Sequence, residues 1–107
     1  MPDRDQFWVQ EALEQAEKAV AFAGGSDEVH LMAMLKAVEN LFESTTALSE
    51  EARGALFPDP HEYADLRGVR NYYVHQYHRV DPELARRTVR RHFPAIVERA
   101  RAWLSAR

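Results

Sequence analysis

Apolar residues recur at intervals of three and four along almost the whole chain, and no segment alternates with the period of two that a half-buried strand requires. Val9, Leu13, Ala16, Val20 and Ala23 form one series. Leu31, Leu35, Val38, Phe42 and Thr45 form a second, widened by Met34 and Leu41. Ala85, Val89, Phe93, Ile96, Ala100 and Trp103 form another near the C-terminus. Such spacing gathers apolar side chains on one stripe of a helix. The pattern argues against a sheet and predicts an all-α fold, an antiparallel bundle of four to five helices with short connections.

The breakers fall where such helices would end. The first helix is expected from about Asp5 to Ala23 and is stopped by Gly24-Gly25. Ser26 is the expected cap of the second, with Asp27 and Glu28 in its first turn, near the positive end of the helix dipole. Ser49 opens a short helix through Leu56, closed by Phe57-Pro58. Asp59-Pro60-His61-Glu62 places a capping side chain, a proline at the first helical position and a glutamate three after the cap, a strong start for a helix running to about His78. Asp81-Pro82 repeats that start for the last helix. Pro94 should kink this helix, because it removes a backbone donor.

A chain of 107 residues has room for one domain, residues 1–107, with no internal repeat or linker. Chains this short bury a modest share of their surface, so association into a homodimer is a natural way to gain core. The chain is 46% hydrophobic and 29% charged, the balance of a globular protein rather than a disordered one. It has no cysteine, which removes disulfides, thiolate metal sites and a cysteine nucleophile together. The start, Met1-Pro2-Asp3-Arg4-Asp5, lacks the basic and apolar regions of a signal peptide, and no apolar stretch is long enough to span a bilayer. A cytoplasmic location without membrane association is expected.

Net charge is −3, but unevenly spread: residues 1–65 sum to −10 and residues 66–107 to +7, with every base in the second part an arginine. Either a polyanion meets the basic part or the two parts neutralise each other within the fold or a dimer. Arg86, Arg87, Arg90 and Arg91 form two like-charge pairs four residues apart, which calls for an anion nearby. RNA, the acidic first helix and an acidic partner surface all qualify.

The segment richest in chemistry is Arg67-Gly68-Val69-Arg70-Asn71-Tyr72-Tyr73-Val74-His75-Gln76-Tyr77-His78-Arg79. On a helix, Leu66, Val69, Tyr73, Tyr77 and Val80 share one stripe, and Arg67, Asn71, His75 and His78 fall near another. Asn71, four residues before His75, can orient the imidazole or share a ligand with it. His75 and His78 could start a divalent-metal site, but no acidic residue stands at helical spacing beside them, so no metal is expected. Tyr73 reads as a packing residue, Trp8 and Trp103 as core or interface aromatics, and His30 and His61 as first-turn residues without a chemical role.

Arg70-Asn71-x-x-x-His75-x-Tyr77 resembles the R-x-x-x-x-H-x-Y signature of HepT-like toxins in the HEPN superfamily. Leu66-Arg67-Gly68-Val69 before it, Val80-Asp81 after it and a final helix interrupted by proline are similar too. The specific likeness runs from about Leu66 to Pro94; the earlier helices match in pattern and length. The resemblance implies a metal-independent ribonuclease without a cofactor, built on a twofold dimer whose arginines and histidines line one cleft. It also implies pairing with a nucleotidyltransferase antitoxin that transfers AMP to the motif tyrosine, here Tyr77. Arg70 and His75 would be catalytic, with Asn71, Tyr77 and Arg67 in support.

Cleavage of RNA needs a base for the 2′-hydroxyl, an acid for the departing 5′-oxygen and positive charge on the phosphorane. An imidazole, with an intrinsic pKa of about 6.5, suits either proton-transfer role. A guanidinium can hold the phosphate bidentately. Residues five apart on a helix point about 140° apart, however, so one subunit's pair does not converge well. A site completed by the partner's histidine resolves this. The alternative is a non-catalytic module that binds nucleotide or RNA and accompanies a minimal nucleotidyltransferase.

Overall fold

A computed structural model describes residues 3–107; the side chains of Tyr72, Tyr73, Val74 and Tyr77 lie outside the described set. Among the described residues there are five α-helices and no strand: α1 (Arg4–Ala23), α2 (Glu28–Thr46), α3 (Glu50–Leu56), α4 (Pro60–His75) and α5 (Pro82–Ser105), with a 3₁₀ turn at Tyr77–Arg79. The molecule measures 42 × 23 × 22 Å. Its long dimension is close to the roughly 36 Å that a 24-residue helix such as α5 spans.

Helix α1 is the centre of the bundle and packs against both α2 and α5. Its buried face is Val9, Ala12, Leu13, Ala16, Ala19 and Ala23. Four alanines there let neighbouring backbones approach closely while favouring helix formation. Helix α2 buries Leu31, Met34, Val38, Leu41, Phe42 and Thr45, and α5 buries all six residues of its apolar stripe together with Val97. Phe42 and Phe93 are nearly inaccessible; each such side chain stabilises the fold by about 1.5–3 kcal/mol through burial. Helix α5 runs antiparallel to α1: Arg101 lies 3.4 Å from Glu17, whereas Arg90, earlier in α5, reaches the carbonyl of Ala23 at 2.9 Å.

Helix starts follow side-chain caps. Asp3 accepts from Asp5 N at 2.9 Å, Ser49 from Ala52 N at 3.1 Å, Asp59 from His61 N at 2.9 Å and Asp81 from Glu83 N at 3.0 Å. The cap of α2 is Asp27 rather than Ser26, its Oδ1 accepting from His30 N at 2.8 Å. Three backbone and side-chain ties favour the later cap: that bond, a 2.6 Å contact between the same oxygen and His30 Nδ1, and Arg86 Nη2 at 3.4 Å from the Asp27 carbonyl. The hydrogen bonds from His30 hold the Asp27 carboxyl below the ordinary aspartate range, and bonds from the Ser49 hydroxyl and backbone do the same for Asp5.

Helix α4 ends at His75, one turn short of the expected His78. Arg79 N then bonds the Gln76 carbonyl at 2.8 Å and closes the 3₁₀ turn. The chain has to turn there because Asp81, ahead of Pro82, is held extended at φ −76° and ψ 110°. Pro94 sits exposed within α5, and the helix continues through it to Ser105.

Candidate functional site

Helix α4 lies against α2, with Leu66 buried and Val69 partly so. Its opposite stripe carries Arg67, Asn71 and His75, all exposed. This division of faces is the one the spacing predicts for the residues whose side chains are described.

Arg70 stands at the seam between α2 and α4, its side chain 23% exposed. Nη1 donates to Asn71 Oδ1 at 2.8 Å, and Nη2 lies 3.8 Å from Glu43 Oε1 on α2. Nε is buried without a hydrogen-bond partner. The guanidinium is therefore oriented from one side by Asn71, while the long, solvent-facing contact to Glu43 contributes little energy of its own. The bond to the Asn71 carbonyl oxygen orients the arginine, a contact not anticipated in the sequence, where Asn71 was expected to orient His75 or to share a ligand with it. An arginine held in this way is prepared to grip an anion on its open edge.

His75 is the last residue of α4 and is exposed. The backbone is helical through both Arg70 and His75, so the roughly 140° divergence calculated from the helical period applies. His78 leaves the stripe because the helix stops. It lines a hollow with Ser26, Glu28, Leu31, Pro82 and Arg86 near the starts of α2 and α5. Among the described residues no group of three His, Asp or Glu side chains is placed to hold a metal ion. Tyr77, the expected acceptor of AMP, has its backbone in the 3₁₀ turn; its side chain lies outside the described residues, as do those of Tyr72 and Tyr73.

The basic half of the chain proves largely self-neutralised along α5. Arg90 Nη2 meets Glu83 at 3.0 Å while Nη1 takes the Ala23 carbonyl, which satisfies an open acceptor at the end of α1. Arg99 does the same for α3, donating to the Leu56 carbonyl at 3.1 Å and lying 3.7 Å from Glu62. Arg86 is 9% exposed, 3.9 Å from Glu83, with its Nε unpartnered. Arg101 pairs with Glu17 and Arg107 with Glu51. Anions were thus required near Arg86 and Arg90, and the fold itself supplies Glu83 and backbone carbonyls. Arg87 and Arg91 stay on the exposed side of α5.

Sequence reasoning missed Tyr63 and Arg53. The Tyr63 hydroxyl is 2.9 Å from the buried Thr45 Oγ1, and its ring packs against Phe57 with 4.8 Å between centroids. Arg53 from α3 and Arg67 from α4 place their guanidinium carbons 6.0 and 5.9 Å from the same ring's centroid. The position of Tyr63 four residues before Arg67 was a readable signal; the approach of α3 was not.

An all-helical bundle with an exposed Arg-Asn-His stripe on one helix defines a class of small helical domains with a polar, anion-ready face. Residues 9–102 match the family described as Ribonuclease HepT-like, and the chain belongs to that family. No curated protein and no solved structure matches it.

Proposed function

We propose that this chain is an endoribonuclease toxin that cuts RNA without a metal ion, through Arg70 and His75. The observation that carries the reading is the oriented guanidinium of Arg70, held by Asn71 on the exposed stripe that ends in His75, in a chain of the HepT-like ribonuclease family. Arg70 binds the scissile phosphate and stabilises charge on the phosphorane. One imidazole takes the proton of the ribose 2′-hydroxyl as its oxygen attacks phosphorus. A second acid protonates the 5′-oxygen as the P–O5′ bond breaks, leaving a 2′,3′-cyclic phosphate and a 5′-hydroxyl. Because Arg70 and His75 diverge on α4, a twofold dimer is the arrangement that supplies the second group, as the partner's His75.

The test is cleavage of single-stranded RNA by the purified chain in excess EDTA. The wild type is expected to cut, and His75→Ala to lose at least about 100-fold, the usual scale for removing a general acid or base. Activity that vanishes with EDTA, or survives the substitution, rules this mechanism out. A chain that binds RNA or nucleotide without cutting it would instead be the binding module.

Control by a nucleotidyltransferase antitoxin acting on Tyr77 completes the proposal. AMP on that phenol puts a phosphate and an adenine within the motif, opposing substrate by charge and bulk. Tyr77→Phe is expected to keep RNA cleavage and to escape neutralisation by a cognate nucleotidyltransferase. Mass spectrometry that locates AMP on Tyr72 or Tyr73 would show the wrong tyrosine had been chosen.

A further inference from the structure

Arg86, Arg90, Arg99, Arg101 and Arg107 are committed to carboxylates or helix-end carbonyls, which makes arginines without such partners informative. Arg53 and Arg67 both sit about 6 Å from the Tyr63 ring centroid, so their charges are at most about 12 Å apart. Among the described residues neither has a carboxylate within ion-pair distance. The electron-rich ring attracts each guanidinium weakly. With no carboxylate in reach, both cations can engage an anion from solution.

The ring beneath them is fixed. Its hydroxyl is bonded to Thr45, which is fully buried and whose own Oγ1 also donates to the Phe42 carbonyl at 2.7 Å. Phe57 and Phe42 pack against the ring, at 4.8 and 5.9 Å between centroids. Tyr63 is thus anchored to the core through both its tip and its ring, and the two guanidinium groups rest on a rigid platform at the surface. Such preorganisation lowers the entropy lost when an arginine engages a ligand.

Position selects the ligand. Tyr63, Arg67 and the Arg70-Asn71 pair recur at four, three and four residues along one stripe of α4, so the platform continues directly into the candidate site. Along the axis Arg70 lies about 10 Å from Tyr63 and His75 a further 8 Å or so, from a rise of 1.5 Å per residue. A strand whose phosphate is held by Arg70 and which follows α4 toward its start would pass Arg67 and then the Tyr63 ring that Arg53 approaches. We infer that Arg53 and Arg67, held on the Tyr63 ring, form a second phosphate subsite that binds the RNA backbone beyond the scissile position. The inference rests on the reading of Arg70 and His75 as an RNA site and adds to it the direction of the strand, from His75 along α4 toward α3. The subsite reads charge and not sequence, because guanidinium groups on phosphate carry no base information.

The experiment measures binding of single-stranded oligonucleotides of two to eight nucleotides across a range of monovalent salt, using His75→Ala so that the RNA stays intact. Affinity should step up once the oligonucleotide is long enough to reach from Arg70 to Arg53. Arg53→Gln and Arg67→Gln should each reduce the slope of log K against log salt by about 0.7, the value of one phosphate contact on a single strand, which is about fivefold in affinity at 0.1 M salt. Arg53→Lys keeps the charge and should retain the slope, which separates loss of a phosphate contact from loss of packing on Tyr63. Arg101→Gln removes the same charge from a residue paired with Glu17 and should change neither slope nor length dependence. Unchanged slopes in both glutamine variants, or an equal loss in Arg101→Gln, overturn the subsite while leaving the Arg70 site standing. Failure of the wild-type chain both to bind and to cut RNA overturns the two together.

Discussion

His30 folds back over Gly25 so closely that a Cβ built on the glycine would overlap the imidazole ring and stand 2.7 Å from the His30 Cβ. The contact is steric, and the imidazole is held in it by Asp27 Oδ1 at 2.6 Å and by an edge-on approach to Phe22. Gly25→Ala therefore has to displace a side chain that closes the turn between α1 and α2. The expected cost is about 1–3 kcal/mol, the range for overpacking a filled site. Thermal or denaturant unfolding checks it, and His30→Ala combined with Gly25→Ala should recover part of the loss by making room. A Gly25→Ala chain as stable as the wild type would mean that the turn relaxes freely. His30 thus helps to close the turn between α1 and α2. Arg90 and Arg99 illustrate the opposite outcome. Their charge was plain in the sequence, but their use as caps for α1 and α3 depends on carbonyls 67 and 43 residues away.

At the scale of elements, α5 was the most legible because its signals agree. Asp81-Pro82 starts it, and the six-residue stripe from Ala85 to Trp103 is buried throughout. A proline in its midst did not end it, since packing of that stripe against α1 and α3 outweighs one missing backbone bond. Helix α4 was legible at its start and less so at its end. Its stripe continues in the sequence to Val80, yet the backbone stops being α-helical at His75, because the connection to α5 must be made within six residues. This matters for the site. The early stop leaves His75 at the helix end and carries His78 to the hollow between the starts of α2 and α5, so the two histidines do not act as a pair on one face. The motif residues Arg70 and Asn71 were found by spacing and resemblance alone. The residues that other helices bring nearby, Glu43 from α2 beside Arg70 and Arg53 from α3 beside Tyr63, leave no trace in local sequence.

For the whole molecule, the chain's size and the divergence of Arg70 from His75 argue for assembly as a twofold dimer with a site shared between subunits. Sedimentation or scattering at micromolar concentration is expected to give twice the chain mass of 12.4 kDa. A monomer under those conditions would remove the shared site and leave His75 to act alone. The sequence by itself determined that the chain is helical, where α3, α4 and α5 begin, most of the buried stripes and which helix carries the Arg-Asn-His stripe. Period, capping and apolar spacing are local properties, encoded within a few residues of where they act. Only the tertiary structure decided what becomes of the charges. The lopsided −10 and +7 suggested a polyanion or a neutralising fold, and the packing of α5 beside α1 and α3 spends most of its arginines on carboxylates and helix ends. Charges act through space over several ångströms, so which arginine finds an internal partner and which stays open to solvent is settled by how the helices pack.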